Sequence, residues 1–394
     1  MNTIRNFPVA LIVCVTAVSA CVKDAKPGPS WSALEAPTSS VASAPPRSTA
    51  DASDVLKSPF DVEARRAAMG VPIPDPSPPP LVAAVRDLIG VTFYIDKNHS
   101  IADPELKKQN EEAVRPVRSF VATVTGLADG WMRSSPAKPA YATLALQQLS
   151  AWATAGALLG NVNRQGSYER KWTLGSLALA FLKIRDAPGL DPEGLAVTRD
   201  WLSKVAYAVM PPYENPKSSI SRNNHAYWAG LAVAAAGIAA NDRRLFDWGL
   251  SRARIGILDI QADGTLPNEL ARGRLALHYH AFALPPLVVL AEIGDANGLH
   301  LYDENGGALR RLADRVIRGM EDPASFDKLA GVAQDFPLET HPKASYFAWG
   351  ESYYARFRDP RLLPSLSSLR PLVDARLGGD QTLAFGVEPL PAPP

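Results

Sequence analysis

Cysteine is almost absent from this 394-residue chain, which carries only Cys14 and Cys21. Cys14 lies in an apolar N-terminal run, so a mature protein keeps Cys21 at most and holds no internal disulfide. The same scarcity excludes a zinc site built on paired cysteines, and no His-Glu-x-x-His pattern replaces one. Charge of one sign is lacking too. Lysine and arginine total 41 against 40 acids, a net charge of +1, so no basic excess points to nucleic acid. An anionic ligand would have to meet a local concentration of cations. There is no Gly-x-Ser-x-Gly, no phosphate-binding loop and no dinucleotide fingerprint. Strand-like alternation is scarce, and Val91-Thr92-Phe93-Tyr94-Ile95 is the main β-like run.

What is present begins with a leader. Residues 1–7 carry Arg5 and no acid, and residues 8–20 are apolar and small, ending in Val18-Ser19-Ala20 before Cys21. That order predicts a secretory signal over 1–20, with an apolar run too short to span a bilayer. Val-Ser-Ala-Cys resembles a bacterial lipobox, in which the cysteine is lipidated and becomes the new N-terminus. The other reading is ordinary cleavage after Ala20. An otherwise unpaired thiol in an oxidising compartment, and the long tether that follows, favour lipidation. Val22 is not an aspartate that would hold a lipoprotein at the inner membrane. The expected location is therefore the periplasm, lipid-anchored at the outer membrane.

Residues 21–80 are rich in Pro, Ala and Ser and include Pro78-Pro79-Pro80. They read as an extended linker, interrupted by a short helix over Asp61–Ala68. From Leu81 to about 380 the apolar periodicity is helical nearly throughout, and 381–394 reads as a tail. The pattern predicts helices over 110–132, 141–159, 168–184, 195–210, 226–240, 243–260, 275–292, 308–320 and 345–357. So many helices with short loops predict an all-α fold of antiparallel hairpins, able to curl around a central cleft.

Three polar regions stand out. The first is Ser221-Arg222-Asn223-Asn224-His225-Ala226-Tyr227-Trp228, before a helical run. One asparagine suffices as a cap. The second leaves Arg222, a titratable ring and an aromatic surface at a helix start, where anions are favoured. The second region is Pro267-Asn268-Glu269-Leu270-Ala271-Arg272-Gly273-Arg274, running into His278-Tyr279-His280. Arg272 and Tyr279 would share a face of a continuous helix, although Gly273 can interrupt it. A cation there would favour the phenolate of Tyr279, whose ordinary pKa is about 10. The third region, Phe93 to Pro104 with Lys97, reads either as a lid or as a surface loop. His278 and His280, two apart, point away from each other on a helix and suit no shared metal. Asp263, Glu269 and Glu351 are the candidates for a glycosidase carboxylate pair, but nothing in their context singles them out.

The segments 222–228 and 266–286, with Arg170-Lys171-Trp172-Thr173-Leu174-Gly175-Ser176-Leu177 and Leu245-Phe246-Asp247-Trp248, resemble the mannuronate-specific alginate lyases, polysaccharide lyase family five. The resemblance covers roughly 93–354. Leu377-Gly378-Gly379-Asp380-Gln381-Thr382-Leu383 is similar to a branch with broader polyuronate specificity. The family resemblance implies an incomplete α/α toroid with a groove for an anionic polysaccharide and β-elimination without cofactor or metal; a monomer is the expected state. The family's catalytic Asn, His, Arg and Tyr fall on Asn224, His225, Arg272 and Tyr279, and its lid lysine falls on Lys97 across a one-residue gap. Lys97, Lys171, Arg222, Trp228, Arg274 and His278 are the expected substrate-binding residues. His278 stands where alanine is usual. Two alternatives stay open: a glucuronan- or hyaluronan-type lyase with the same site, and a non-catalytic uronate-binding lipoprotein.

Overall fold

Asp-Pro and Asn punctuation sets the helix starts. The computed structural model describes residues 55–96, 99–336 and 344–387. Helix α1 (Val62–Met69) is followed by α2 (Pro104–Arg133), α3 (Pro139–Thr154), α4 (Arg164–Ile184) and α5 (Pro192–Val209). Then come α6 (Asn224–Ala240), α7 (Arg243–Asp259), the single turn α8 (Pro267–Leu270), α9 (Ala276–Ala296) and α10 (Glu304–Glu321). Asp103 and Asp191 each accept two backbone N–H bonds ahead of a proline in the first turn. Asn163 and Asp242 cap α4 and α7 in the same way. A proline loses nothing there, because the first N–H groups have no helical partner.

The long helices pack as successive neighbours, with α2 on α3, α3 on α5, α5 on α6, α6 on α7 and α9, and α9 on α10. Helices α4, α6 and α9 lie innermost. In α6 every residue from Ala226 to Ala239 is buried. Helix α9 is long and apolar enough to cross a membrane by length and composition, yet here it is a core helix of the fold. Glycines let α6 and α7 approach closely. A methyl group on Gly249 would lie 2.5 Å from the Gly230 carbonyl oxygen.

Several expectations are corrected. Val91–Ile95 is not a strand, and the segment is held by an isolated bridge between Tyr94 and Ala102. The predicted 345–357 helix is broken into α12 (Ala344–Phe347) and α13 (Gly350–Phe357), after the short α11 (Ala324–Ala330). The folded unit begins well before residue 81. Leu56 and Phe60 are buried, the Arg66 guanidinium lies 3.7 Å from the Trp131 ring centroid, and the Trp152 indole donates to the Val82 carbonyl at 2.9 Å. Apart from α1 the described proline-rich backbone makes no helix, and between Val71 and Leu88 it lies on the helices as an extended strap. The short helix expected in it is α1.

The C-terminal segment is not a free tail either. Past α14 (Leu363–Leu369), β1 (Val373–Asp374) pairs antiparallel with β2 (Gly379–Asp380), and α15 (Gln381–Phe385) is buried apart from its last residue. Fully buried Lys183 of α4 reaches Asp129 at 2.6 Å and donates to the Gly378 carbonyl at 2.8 Å. Asp129 also accepts the Asp380 N–H at 2.9 Å, and Asp380 pairs with Arg133 and caps α15. The Leu-Gly-Gly-Asp motif thus fastens the C-terminal segment to α2 and α4. The leader, residues 21–54 and Lys97 lie outside the described residues.

His280 of α9 is fully buried. Its Nε2 accepts the Leu266 N–H at 2.9 Å, so Nδ1 carries the proton and donates to the Ala276 carbonyl at 2.7 Å. Burial lowers its pKa to about 4. The unfolded chain binds this proton near pH 6.5, so stability falls as pH drops from 6.5 toward 4, by up to about 3 kcal/mol. Thermal melts across that range should show a steeper acid loss for the wild type than for His280→Gln. A second expectation concerns the glycine crossing: Gly249→Ala should cost about 1–3 kcal/mol by overpacking, read as a lower denaturation midpoint.

Candidate active site

A cavity of about 610 Å³ opens where the starts of α4, α6 and α9 meet. Its wall includes Arg164, Tyr168 and Trp172 of α4, Asn223, Asn224, His225 and Trp228 at the head of α6, and Arg272, His278, Tyr279 and Phe282. Tyr94 and His99 close one side, and Tyr346, Asp374 and Arg376 another. Three arginines, Arg164, Arg272 and Arg376, face one carboxylate, Asp374. Burial raises the Asp374 pKa, which weakens that one negative charge further. A chain of near-zero net charge therefore concentrates positive potential in one concavity.

The two asparagines divide the work. Asn223 is the cap, its side chain accepting the His225 N–H at 3.0 Å. Asn224 is left for a different partner, the fully buried carboxylate of Glu269. Glu269 accepts the Asn224 backbone N–H at 2.6 Å and its side-chain amide at 3.0 and 3.1 Å. The Asn224 Oδ1 is buried without a hydrogen bond. Burial raises the Glu269 pKa against those bonds. The other glycosidase candidates are also in structural use. Asp263 accepts from Thr265, and Glu351 pairs with Arg370. No carboxylate pair faces this cavity among the described residues.

Arg272 and Tyr279 meet by a route other than a continuous helix. Gly273 takes φ +57°, a one-turn 3-10 segment follows over Gly273–Leu275, and only then does α9 begin. The guanidinium still stacks on the phenol, 3.6 Å from the ring centroid. The Tyr279 hydroxyl lies 3.1 Å from that of Tyr94 and 3.4 Å from the His99 carbonyl, which Arg272 also contacts at 3.1 Å. Arg272 pulls the phenol's pKa down as expected, but burial outweighs it and the net direction is up. Tyr279 is a phenol in the free protein.

His225 is stacked on Tyr168, ring centroids 4.1 Å apart, and its Nδ1 lies 3.0 Å from the Lys171 ammonium nitrogen. Burial, then the charges of Lys171, Arg272 and Arg164, hold its pKa well below the usual histidine value. Lys171 is 0% exposed, so it cannot touch a substrate and stands behind the wall instead. Trp228, 2% exposed, has no free face for a sugar. Pro286 lacks an N–H for the Phe282 carbonyl one turn back, and the Trp228 indole supplies the missing donor at 3.1 Å. Arg222 is committed to Asp259 and Arg274 to Asp335, neither on the cavity wall. His278 is on the wall, 3.0 Å from the Tyr346 hydroxyl. It faces a different partner from buried His280, and no cluster of three or more His, Cys, Asp or Glu suited to a metal occurs among the described residues. Sequence reasoning missed Tyr94, Arg164, Tyr168, Tyr346 and Arg376. Tyr94 lies inside the third polar region and Tyr168 stands three residues before Lys171, whereas Arg164, Tyr346 and Arg376 belong to no polar region singled out.

Comparison with known proteins bears on this arrangement. The alginate lyase family model matches residues 92–326. A polysaccharide lyase of Stenotrophomonas maltophilia is 40% identical over 312 residues, 78% of this chain and 89% of the relative. An alginate lyase of Pseudomonas fluorescens is 37% identical over 71% of this chain and 77% of its own. Among solved structures, alginate lyase A1-III of Sphingomonas species A1 superposes with TM-score 0.72 at 27% identity, covering 85% of this chain and 99% of that one. A Tyr-to-Phe variant of A1-III complexed with a tetrasaccharide gives TM-score 0.76 over 87% and 100%. The likeness makes the fold that of those lyases, an α/α toroid, and the chain belongs to the alginate lyase family.

Proposed function

We propose that the protein is a polyuronate lyase that cleaves the 1,4-glycosidic bond of poly-mannuronate or alginate by β-elimination, leaving a 4,5-unsaturated uronate end. The observation that carries this reading is Arg272 stacked on Tyr279 beside Asn224 and His225, in a cavity of cationic excess. The chemistry requires such a set. A uronate C5–H is weakly acidic because its carboxylate is already negative. Removing the proton adds charge beside charge, so the site must neutralise that carboxylate as the enolate-like state develops.

Arg272 supplies fixed charge, and His225 and Asn224 supply hydrogen bonds to the carboxylate. One hydrogen of the Asn224 NH2 group is directed at the Glu269 carboxylate, and the other is available to the substrate carboxylate. Tyr279 handles the protons. As a phenol it gives its own proton to the departing O4 while its oxygen accepts the C5 proton, so the phenol is regenerated. The C5–H and C4–O4 bonds break, the C4–C5 double bond forms, and no outside base is consumed. In mannuronate C5–H and O4 lie on one face of the ring, within reach of a single oxygen. Guluronate inverts C5 and separates them. The C2 hydroxyl that distinguishes mannuronate from glucuronate touches none of this machinery, and a single hydrogen bond to it is worth only about 1 kcal/mol. His278 is the wall residue best suited to read it.

The test is the ultraviolet absorbance of the unsaturated product on poly-mannuronate, poly-glucuronate and polyguluronate at equal uronate concentration. Poly-mannuronate should be fastest and polyguluronate slowest, and Tyr279→Phe should lower kcat by about a hundredfold or more with little change in KM. Polyguluronate as the best substrate would reject the single-tyrosine mechanism.

For location, we propose secretion and lipidation at Cys21. The support is the charged, apolar, Val-Ser-Ala-Cys order of the leader. Cys21→Ser should move the protein from the membrane fraction to the soluble periplasmic fraction, and membrane association that survives the substitution would reject the anchor.

A further inference from the structure

We propose that Lys171 is a positioning residue: its buried amino group donates to His225 Nδ1 and so fixes the ring as the tautomer that carries its proton on Nε2. The proposal rests on the polyuronate reading only for its catalytic consequence. A lysine with no exposed surface needs a structural reason, because burying a charge is costly unless it is partnered. Its one hydrogen bond among the described residues is to His225 Nδ1, at 3.0 Å. Aromatic rings surround the rest of it. Trp172, Tyr168 and Tyr213 have centroids 4.2, 4.4 and 5.8 Å from Nζ. Such a cage suits an ammonium, since each ring presents a negative face. Burial, aided by the Arg376 charge, pulls the lysine pKa well down against the nearby Glu169 charge, so it is the three ring faces that keep Nζ an ammonium.

An ammonium has donors and no acceptor, so the ring atom it meets must offer a lone pair. Nδ1 therefore carries no hydrogen, and the neutral ring holds its proton on Nε2. That nitrogen is the one left for the cavity that His225 lines. Tyr168, stacked on the ring, keeps its plane from turning. The other charged or titratable groups acting on the ring are Arg272, Arg164 and His99, and each favours the neutral form. A neutral ring with Nε2–H can donate to a substrate carboxylate but has no lone pair on that nitrogen with which to take a C5 proton. Lys171 thereby assigns His225 to carboxylate binding and leaves proton transfer to Tyr279.

The test reads the two ring nitrogens of His225 by 15N NMR on the full chain labelled at histidine, without substrate, with His225→Gln identifying the signals. The expected result in the wild type is an unprotonated Nδ1 and a protonated Nε2. Lys171→Met, which keeps bulk and removes the donor, should let the other tautomer appear and lower kcat by about tenfold to a hundredfold, the range for loss of a histidine's orienting partner, with a smaller change in KM. Lys171→Gln, which restores a neutral donor, should recover the Nε2–H tautomer and part of kcat. A protonated Nδ1 in the wild type would overturn the proposal. So would Lys171→Met with unmoved ring signals and unchanged kcat. If Lys171→Met fails to fold, the wild-type spectrum decides alone. The ring signals are read without polymer, so failure of the polyuronate reading would leave them as they are.

Discussion

Helix α6 has almost no solvent face, and the rest of the site depends on that constraint. It packs on α4, α5, α7 and α9, and its crossing with α7 is held close by Gly230 and Gly249. A helix enclosed in this way cannot slide or roll without displacing its neighbours, since packed interiors have little slack. Its N-terminus is correspondingly fixed, and Asn223, Asn224 and His225 stand on it. The two polar partners that aim those side chains, Glu269 and Lys171, are themselves buried on neighbouring elements. The side chains on the cavity wall are thus aimed by groups buried in the core behind them.

Electrostatics follows from the same enclosure. In water three arginines and a lysine around one concavity would be well screened, whereas behind low-dielectric walls they act together. The field does different work on different groups. It adds to the burial that holds His225 neutral, and it lowers the Tyr279 phenol without overcoming the cost of burying a phenolate. The resting site is therefore cationic on its arginines and neutral at His225 and Tyr279. An arriving uronate supplies the missing negative charge.

Most of the helices were legible in the sequence: α2, α5, α7 and α10 carry one-sided apolar periodicity, the enclosed α6 and α9 stand out as long apolar runs, and caps mark several of the starts. Asn224, His225, Arg272 and Tyr279 stood out as candidates through two short polar blocks together with the family resemblance, and all four line one cavity. The failures have physical causes. Lys171 reads as a substrate-facing cation because lysine is rarely buried, and only tertiary packing shows the rings around it. Arg222 and Arg274 read the same way, but each has an acid within reach that is distant in sequence. Arg164 and Arg376 carry no local signal, being single cations in segments whose placement depends on the whole fold. The proline-rich segment after Val55 resembles a tether by composition, yet Leu56 and Phe60 bury themselves. Composition shows that its proline runs cannot be helical, but not whether they have a surface to lie on.

The Lys183–Asp129–Gly378 clamp has a consequence for the order of assembly. It ties α2 and α4, made early in the chain, to a turn only a few residues from its end, and that turn delivers Asp374 and Arg376 to the cavity wall. A chain emerging N-terminus first can build its central helices long before it can finish the groove. Until residues 373–385 arrive, Asp129 and Lys183 hold only each other, and the cavity lacks Arg376. Competence to bind a polyanion is in this sense a late event, gained when the last segment of the domain docks, so premature truncation removes the groove before it removes most of the helices.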